Sequence, residues 1–408
     1  MIIVTLDMLG LLPVLIFSFY LALLTFLAMF KKLRRFDVQS EKDARFAILV
    51  PAHNEELVID QTLSSLEEIN YPRNLFDVYV IADNCTDNTA AVARRTGVNV
   101  LERFDNVNIG KGQALRWCLD QLMRSEKAYD AFCIVDADTV VSGNFLTVMG
   151  AYLRDGADCI QSSDMVQPQP GRWSPEMTRV AFILHNYVRP LGKMVIGCSS
   201  GLNGNGMCFS RKLIATSPWS SYSRVEDLEH SLQLALEGIK IQFAPEAVVR
   251  AIMPSDPHNA ETQRKRWEMG RFPLIRKYTG RLVAEAIKQR SVMIADMFME
   301  LVTPAFVNLV LVTVLGLAAN LLILLGLNPP GIRVILLVWS SALLLEIFHV
   351  IAGLKVSDAD PGAYLALLNF PRFAVWKLAI YLKTMLKGDD RTWVRTAREN
   401  RGTNAVDR

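Results

Sequence analysis

Two aspartates separated by one small residue could hold a divalent cation. Asp136 and Asp138 flank Ala137 directly after the apolar run 131–135. Because side chains alternate along an extended chain, both carboxylates should point the same way. Magnesium typically takes one or two protein carboxylates and completes its octahedron with phosphate oxygens and water. The pair therefore predicts an Mg²⁺ or Mn²⁺ site that binds a diphosphate, although aspartates at strand ends also serve as turn caps.

An acidic pair and a basic, aromatic segment follow further along the chain. Glu226 and Asp227 precede apolar residues that recur at helical spacing from Leu228. Acids at a helix N-terminus also stabilise the helix dipole, so the pair alone does not indicate chemistry. The segment 263–267, Gln-Arg-Lys-Arg-Trp, places three cations beside an indole, a pattern that is also typical of a membrane-surface patch. Each motif is ambiguous by itself.

The elements that must position these residues alternate between strands and helices. The middle of the chain alternates short β-rich runs with helical patterns, which predicts an α/β domain. The run 46–50 should end at Pro51, with Asn54 capping the next helix, and a second strand, 77–82, should end at Asp83. In a doubly wound sheet the ligand crevice lies beyond the carboxyl ends of the strands. Asp83 and the aspartate pair should therefore face one crevice.

Three long apolar segments are predicted to cross a membrane. Residues 8–30 contain no charged side chain and, at about 1.5 Å per residue, would reach roughly 35 Å as a helix. Basic residues follow this segment rather than precede it, which indicates an uncleaved anchor and not a signal peptide. Segments 301–326 and 334–353, joined by a turn-forming stretch, predict a hairpin. The positive-inside bias places the intervening domain, residues 45–290, in the cytoplasm.

The last part of the chain is predicted to lie on the membrane surface. Residues 363–387 are apolar but carry Arg372, Lys377 and Lys383, which predicts an amphipathic helix flat on the inner leaflet. The alternative is a fourth span with snorkelling cations. Residues 388–408 are expected to form a cytoplasmic tail.

The composition of the 408 residues excludes several classes of protein. A hydrophobic content of 51% is too high for a disordered chain. With 44 Lys and Arg against 41 Asp and Glu, the net charge of +3 gives no support to nucleic-acid binding. The six cysteines lack zinc-site spacing and are expected to be reduced thiols in the core of the domain.

Four motifs occur in one order: an aspartate after the second strand, an Asp-x-Asp, an acidic pair before a helix, and Gln-x-x-Arg-Trp. Together they resemble the membrane-bound branch of the family-2 glycosyltransferases, which contains cellulose, chitin and hyaluronan synthases. The resemblance covers about residues 46–280 and the flanking spans. It implies a GT-A fold, a Rossmann-like and doubly wound mixed sheet, as a cytoplasmic domain flanked by transmembrane helices in the plasma (inner) membrane. It also implies an inverting hexosyltransferase that uses a UDP-sugar and a divalent metal.

The resemblance assigns a donor side to the predicted site. Asp83 would recognise uracil, Asp136 would bind ribose and diphosphate, and Asp138 would share the cation with Asp136. Arg266 would neutralise the leaving diphosphate. Lys111 lies between two glycines and could also contact a phosphate, although glycines there also permit a turn. The residues expected to line the nucleotide pocket are Pro51, Ala52 and Glu55.

The resemblance also assigns an acceptor side. Asp227, next to Glu226, would remove the proton from the acceptor hydroxyl as its oxygen attacks the anomeric carbon from the face opposite UDP. That geometry inverts the anomeric configuration. Trp267 would offer an apolar face on which an acceptor sugar stacks. The other acceptor-side candidates are Gln263, Asn205 and Gly206.

The size of the product is left open by the sequence. The complete Gln-Arg-Lys-Arg-Trp motif resembles the processive synthases and favours a growing cell-surface or extracellular polysaccharide. The small number of spans favours the alternative, transfer of a single sugar to a lipid acceptor. A membrane-anchored sensor of sugar nucleotides would share the donor site but would not need Asp227 as a base. The expected partners are thus a UDP-sugar, a glycan or lipid acceptor and the lipid bilayer, and no motif identifies the donor sugar, an oligomer or an export partner.

Overall fold

A mixed β-sheet of eight strands lies at the centre of the molecule. The structure is a computed structural model, and it describes residues 2–33, 43–253 and 257–387; the predicted tail 388–408 lies outside the described residues. The strand order across the sheet is β3-β2-β1-β4-β7-β6-β8-β5. The strands are β1 (Phe46–Ala52), β2 (Phe76–Asp83), β3 (Asn99–Arg103), β4 (Ala131–Ile134), β5 (Thr139–Val141), β6 (Cys159–Val166), β7 (Met207–Ser210) and β8 (Ile241–Ala251).

Strand β1 is an interior strand that is buried on both faces. Phe46, Ile48 and Val50 pack into one hydrophobic cluster, whereas Ala47 and Leu49 pack into the cluster on the opposite face. Buried parallel strands read as continuous apolar runs for this reason. Strand β1 pairs in parallel with β2 and β4, and β7 runs antiparallel between β4 and β6. The predicted mixed α/β sheet is confirmed.

The helices cover both faces of the sheet and continue into the membrane-capable part of the chain. Helices α2 and α5 contribute to the cluster on one face, and α4 and α8 contribute to the cluster on the other. The described helices are α1 (Ile2–Ala28), α2 (Ile59–Glu67), α3 (Thr89–Arg95), α4 (Lys111–Arg124), α5 (Phe145–Arg154), α6 (Trp173–Phe182), α7 (Arg189–Val195), α8 (Arg211–Thr216), α9 (Glu226–Leu236), α10 (Pro257–Gln289), α11 (Val292–Val302), α12 (Phe306–Gly326), α13 (Ile332–Val356), α14 (Pro361–Ala366) and α15 (Phe370–Lys387). A π-helix, Ile183–Val188, joins α6 to α7.

Within the described residues, three helices are long and apolar enough to cross a membrane. They are Gly10–Ala28 within α1, α12 and α13, with mean hydropathies of 2.4, 2.6 and 2.2. The three helices share one apolar cluster. Gly316 of α12 permits close packing against α13, because a Cβ at this position would lie 2.5 Å from the indole of Trp339. In sequence, these helices flank the domain that contains the sheet.

The helix assigned to the second span begins later than the sequence indicated. The expected segment was 301–326, but α11 ends at Val302 and α12 begins at Phe306. Pro304 lies in the gap; proline has no N–H group and disfavours a helical conformation in the residue before it. Thr303 is accordingly extended, with φ −63° and ψ 120°. The expectation that one helix begins at 301 was wrong for this reason.

The segment expected to form one amphipathic helix, 363–387, contains two helices instead. Helix α14 ends at Ala366, residues Leu367–Asn369 form a 3₁₀ turn, and α15 begins at Phe370. Pro371 occupies the first turn of α15, where its missing N–H group costs no intrahelical hydrogen bond. The expectation of one uninterrupted helix was therefore wrong, and the position of this segment on the membrane surface stays a prediction.

A buried cluster of charged residues joins the sheet domain to the membrane-capable helices. Lys193 Nζ of α7 lies 3.1 Å from Asp296 Oδ2 and 2.8 Å from Glu300 Oε2 of α11. Tyr20 of α1 donates a hydrogen bond of 2.8 Å to Asp296. Burial alone would lower the pKa of Lys193, but the two carboxylates outweigh it and raise this pKa well above its ordinary value. Lys193 is therefore charged, and the cluster links α11 and α1 to α7 of the domain.

Candidate active site

A cavity of about 1730 Å³ brings together most of the residues singled out from the sequence. They come from the loops after β4 and before β7 and from helices α4, α9 and α10, whose sequence positions are far apart. The predicted site residues that line the cavity are Lys111, Asp136, Asp138, Asn205, Glu226, Asp227, Gln263, Arg266 and Trp267. The cavity continues from these polar residues to side chains of α12 and α13.

Lys111 lies at the centre of the polar end of the cavity. Its ammonium group donates hydrogen bonds to the carboxylate of Asp136 and, over 2.6 Å, to the carbonyl oxygen of Gly204. Gly204 has φ +83°, and a Cβ there would lie 3.1 Å from Asp227 Oδ2 and 3.7 Å from Lys111 Nζ. The absence of a side chain at Gly204 therefore lets the acid of α9 approach the lysine of α4.

The carboxyl groups around Lys111 have shifted pKa values. Burial, with the neighbouring charge of Asp227, raises the pKa of Glu226 to about 7. Burial also raises the pKa of Asp227, while its hydrogen bond from the Leu228 amide, Lys111 and Arg266 act in the opposite direction. Burial would lower the pKa of Lys111, but Asp136, Glu226 and Asp227 outweigh it and raise this pKa. The lysine is therefore charged, and the raised pKa of Asp227 increases its affinity for a proton, as a general base requires.

Asn205 connects the Asp-x-Asp segment to a buried polar network. Its Oδ1 accepts a hydrogen bond of 3.1 Å from the Asp136 amide, and its Nδ2 donates to Thr139 Oγ1 at 3.0 Å and to Asp164 Oδ1 at 3.1 Å. Asp164 also accepts a bond of 3.1 Å from Asn186 in the π-helix. The predicted acceptor-side residue Asn205 thus positions Asp136, which the sequence did not show. Asp164 lines the cavity as well and was missed, because no motif marks it.

The residues at the polar end fit a divalent cation that is shared with a substrate. Asp136 and Asp138 both line the cavity, and together with Glu226 and Asp227 they place four carboxyl groups against the two cations Lys111 and Arg266. In the parts of the chain that the structure describes, no group of three or more His, Cys, Asp and Glu side chains forms a metal cage. A divalent ion bound here would therefore need oxygen ligands from a phosphate and water, as Mg²⁺ usually does.

The Gln-x-x-Arg-Trp segment lies on α10, and its two arginines have different partners. Arg266 and Trp267 face the cavity, and the Trp267 ring lies 5.9 Å from the Phe182 ring. Arg264 also lines the cavity, but its guanidinium lies 4.8 Å from the Phe373 ring and 4.7 Å from the Trp376 ring of α15. Of the two arginines in this motif, Arg266 thus carries the electrostatic contact with the acidic cluster.

The residues expected at the nucleotide end lie beside the cavity rather than along its wall. Among the described residues, His53 and Asn84 line the cavity. The lining does not include the predicted residues Pro51, Ala52, Glu55 and Asp83. Asp83 is 6% exposed and accepts a bond of 2.6 Å from Arg103. Burial raises the pKa of Asp83, although Arg103 opposes this shift. The proposed uracil contact of Asp83 stays a prediction.

Gly206 packs tightly in the loop before β7 and does not line the cavity. It has φ +66°, and a Cβ at this position would collide with Ser162 Oγ and lie 2.8 Å from Val249 Cγ2. Glycine adopts a positive φ without strain, and it has no Cβ to meet these side chains. The expectation that Gly206 contacts the acceptor is not supported, because neighbouring side chains cover it and leave no room for a substrate.

We expect Gly206→Ala to lower the free energy of unfolding by about 2–5 kcal/mol, through backbone strain and overpacking. Gly197→Ala is a matched control, because Gly197 has φ +73° but nothing lies within 4 Å of an added Cβ. Backbone strain alone should therefore lower the free energy of unfolding of this variant, by about 1–2 kcal/mol. Thermal unfolding of both variants in the same detergent measures the difference. Equal melting temperatures for the two variants would contradict the packing argument.

Residues 44–270, more than half of the chain, match the protein family described as glycosyltransferase like family 2. The chain belongs to the family-2 glycosyltransferases. The family predicted from the four motifs is thereby confirmed, while membership of the membrane-bound branch stays a prediction.

This family-2 glycosyltransferase is similar in sequence to several curated proteins. It is 23% identical to the probable glycosyltransferase YdaM of Bacillus subtilis over 57% of this chain and 57% of the relative. It is 26% identical to a beta-monoglucosyldiacylglycerol synthase of Nostoc sp. over 55% of this chain and 48% of the relative. It is 23% identical to a poly-beta-1,6-N-acetyl-D-glucosamine synthase of Staphylococcus aureus over 57% of this chain and 56% of the relative. The chain thus spans about half the length of the curated relatives that it matches.

Among solved structures, the chain is similar to the mannosyltransferase PcManGT of Pyrobaculum calidifontis, determined in complex with GDP-Man and Mn²⁺. The alignment covers 92% of this chain and 100% of that protein, with 14% sequence identity and a TM-score of 0.48.

Proposed function

We propose that this family-2 glycosyltransferase transfers a hexose from a UDP-sugar to an acceptor hydroxyl in the described cavity, with inversion at the anomeric carbon. The observation that carries the proposal is the meeting of Asp227, Lys111 and Asp136 at Gly204. The cluster combines a half-buried carboxyl group with cations that can bind phosphate, which are the two requirements of this reaction.

On the donor side, Lys111 and Arg266 would bind the diphosphate and stabilise the charge that develops on it as the sugar leaves. Asp136 and Asp138 would hold the cation; when bound, a divalent ion supplies further charge neutralisation to the leaving UDP. Asn205 keeps the Asp136 backbone in place through its bond of 3.1 Å. In this arrangement the donor occupies the end of the cavity near His53 and Asn84.

On the acceptor side, Asp227 would accept the hydroxyl proton as the acceptor oxygen forms its bond to the anomeric carbon. The bond between that carbon and the phosphate oxygen of UDP breaks at the same time, and its electrons stay with UDP. The charge of Asp227, together with burial, raises the pKa of the neighbouring Glu226 to about 7. Trp267 borders the same space.

Two products are compatible with this chemistry. The Gln-x-x-Arg-Trp motif favours a growing polysaccharide, and a relative is named as a poly-beta-1,6-N-acetyl-D-glucosamine synthase. The continuation of the cavity to the membrane-capable helices favours a lipid acceptor, and another relative is named as a beta-monoglucosyldiacylglycerol synthase. We further propose that α1, α12 and α13 anchor the enzyme in the plasma membrane with the catalytic domain in the cytoplasm.

The direct test is to incubate the purified full chain with Mg²⁺ or Mn²⁺ and each of several radiolabelled UDP-sugars in membrane lipid. Transfer from one donor, with release of UDP, is expected. The labelled product is then separated by organic extraction and by size on a gel. If no UDP-sugar binds and none is consumed, the proposed function is wrong.

We expect Asp138→Asn to raise the metal concentration needed for half-maximal activity by about tenfold, because removal of one carboxylate weakens a site that has only two. Asp130→Asn is the control, since Asp130 caps the Arg45 amide before β1 and does not line the cavity. Metal titrations of UDP-sugar binding and of transfer measure both variants. An unchanged metal requirement in Asp138→Asn would remove this residue from the metal site.

A further inference from the structure

The cavity is larger than a nucleotide sugar requires, and its second half is apolar. Pockets that enclose a drug-sized ligand usually measure about 300–1,000 Å³, whereas this cavity measures about 1730 Å³. We call its second half the membrane wing. It is lined by aliphatic side chains of α12 and α13, namely Val310, Val314, Leu343, Ile347, Val350 and Ile351. The wing therefore has space for a second molecule with a hydrocarbon part.

Several apolar side chains that line the membrane wing are exposed. Val314, Ile347 and Ile351 line it and are nonetheless 45%, 49% and 48% exposed. Contact with a hydrocarbon chain would remove this apolar surface from water.

The membrane wing is blind and does not cross the membrane. Its lining ends at Val314 on α12 and at Leu343 on α13, although α12 continues to Gly326 and α13 begins at Ile332. From Phe306 to Val314 the helix rises about 12 Å at 1.5 Å per residue, less than half of the roughly 30 Å hydrocarbon core of a bilayer. The depth fits a lipid of the leaflet next to the catalytic domain and does not form a path for secretion.

We infer that the acceptor is a membrane lipid whose hydrocarbon chain lies in the membrane wing and whose hydroxyl group reaches Asp227. The inference rests on the proposed function, because it assigns an acceptor to the same active site. Both ends belong to one continuous cavity, so one amphipathic molecule can contact the aliphatic side chains and the carboxylate together. Burial of a hydrocarbon chain stabilises binding by about 25 cal/mol per Å² of apolar surface.

A polysaccharide fits the membrane wing poorly. Its hydroxyl groups lose hydrogen bonds to water on entry, and aliphatic side chains offer no replacement, which costs free energy for each group. Glu346 is the acidic exception in this part of the lining. Its Oε1 accepts hydrogen bonds of 2.9 Å from Ser18 and 2.7 Å from Thr313, whereas its Oε2 has no hydrogen-bond partner among the described residues. These bonds join α1, α12 and α13, which gives Glu346 a role in helix packing.

The first test uses the full chain in phosphatidylcholine nanodiscs that contain a diacylglycerol with a diazirine on one acyl chain. After irradiation we expect residues 306–314 and 343–351 to carry at least about threefold more label than 321–327 and 334–340, which include exposed apolar side chains but lie outside the wing. Leu343→Trp, which fills the wing, should remove most of this excess. Leu344→Trp is the matched control, because Leu344 is 65% exposed and does not line the cavity.

Uniform labelling of both helices, or the same excess in Leu343→Trp as in the wild type, would overturn the inference. Val310→Phe serves as a second wing-filling variant if Leu343→Trp fails to fold. The second test measures sugar transfer from radiolabelled UDP-sugars in the same nanodiscs. An organic-extractable product is expected, and Leu343→Trp should form it at least about tenfold more slowly with unchanged binding of UDP.

The two tests separate failure of the inference from failure of the proposed function. A water-soluble ladder of products that Leu343→Trp does not reduce would overturn the lipid acceptor while the transferase activity stands. If the wild-type protein neither binds nor consumes a UDP-sugar, the proposed function fails. In that case the labelling still decides whether lipid occupies the wing.

Discussion

Replacing Asp227 by Asn is expected to reduce the rate of sugar transfer about a thousandfold and to leave UDP-sugar binding nearly unchanged. A positioned general base typically contributes about 10²–10⁴-fold, and asparagine cannot accept the hydroxyl proton. The fold should tolerate the change, since Asp227 Oδ1 accepts a bond of 2.8 Å from the Leu228 amide and an asparagine oxygen can do the same. Single-turnover rates and calorimetric titration with UDP-sugar measure the two quantities separately.

The control for Asp227→Asn is Glu237→Gln, which removes an acid from the other end of α9. Glu237 is exposed, bonds to Ser217 at 2.7 Å and lies outside the cavity lining, so transfer should change little. A loss of less than tenfold in Asp227→Asn, or equal losses in both variants, would show that Asp227 is not the base. UDP-sugar binding with normal affinity but no transfer in the wild type would instead support a sensor.

The motifs that carry local chemistry were predictable from the sequence. The run 131–135 predicted a buried strand and therefore placed Asp136 at a strand end, where the structure has it after β4. Leu228, Leu232 and Leu236 predicted the apolar face of α9, and all three pack into one cluster in the structure. In such cases the periodicity of a single element fixes which side chains face the core.

Contacts between distant segments were not predictable in this way. Asn54 was expected to cap a helix, but α2 begins at Ile59, and Asn54 has φ +59° and accepts a bond of 2.6 Å from the Thr86 amide. Asn205 binds the Asp136 segment across 69 positions, and no local pattern indicates such a partner. For Asn54, the fold supplies a different donor from the helix N–H groups that local rules predict.

The membrane wing also depends on packing that the sequence does not encode locally. The apolar segments were recognisable as spans, because length and hydropathy are sufficient for that. Whether a cavity lies between two such helices depends on how α12 and α13 pack against α1 and against the domain. That packing includes the contact between Gly316 of α12 and Trp339 of α13, which belong to different helices.

Replacing Lys111 by Met is expected to reduce transfer at pH 7 about a hundredfold. The substitution removes two hydrogen bonds from a charged donor, to Asp136 and to the Gly204 carbonyl oxygen. Such bonds contribute about 1.5–3 kcal/mol each when fully formed, and partial solvent access reduces this. Methionine retains most of the volume of the side chain, so the effect should reflect the lost charge. Steady-state rates and binding of UDP measure it.

The pH dependence of this variant separates two roles of Lys111. The lysine lowers the pKa of Glu226 and of Asp227, so its removal should raise both values, and the base then becomes deprotonated only at higher pH. The rising limb of activity should therefore move to higher pH, and part of the loss at pH 7 should be recovered as the pH increases. Lys127→Met is the control, because Lys127 is exposed and pairs with Asp77 at 3.1 Å outside the cavity lining. A hundredfold loss that is constant at every pH would show that Lys111 binds phosphate without tuning the acidic pair.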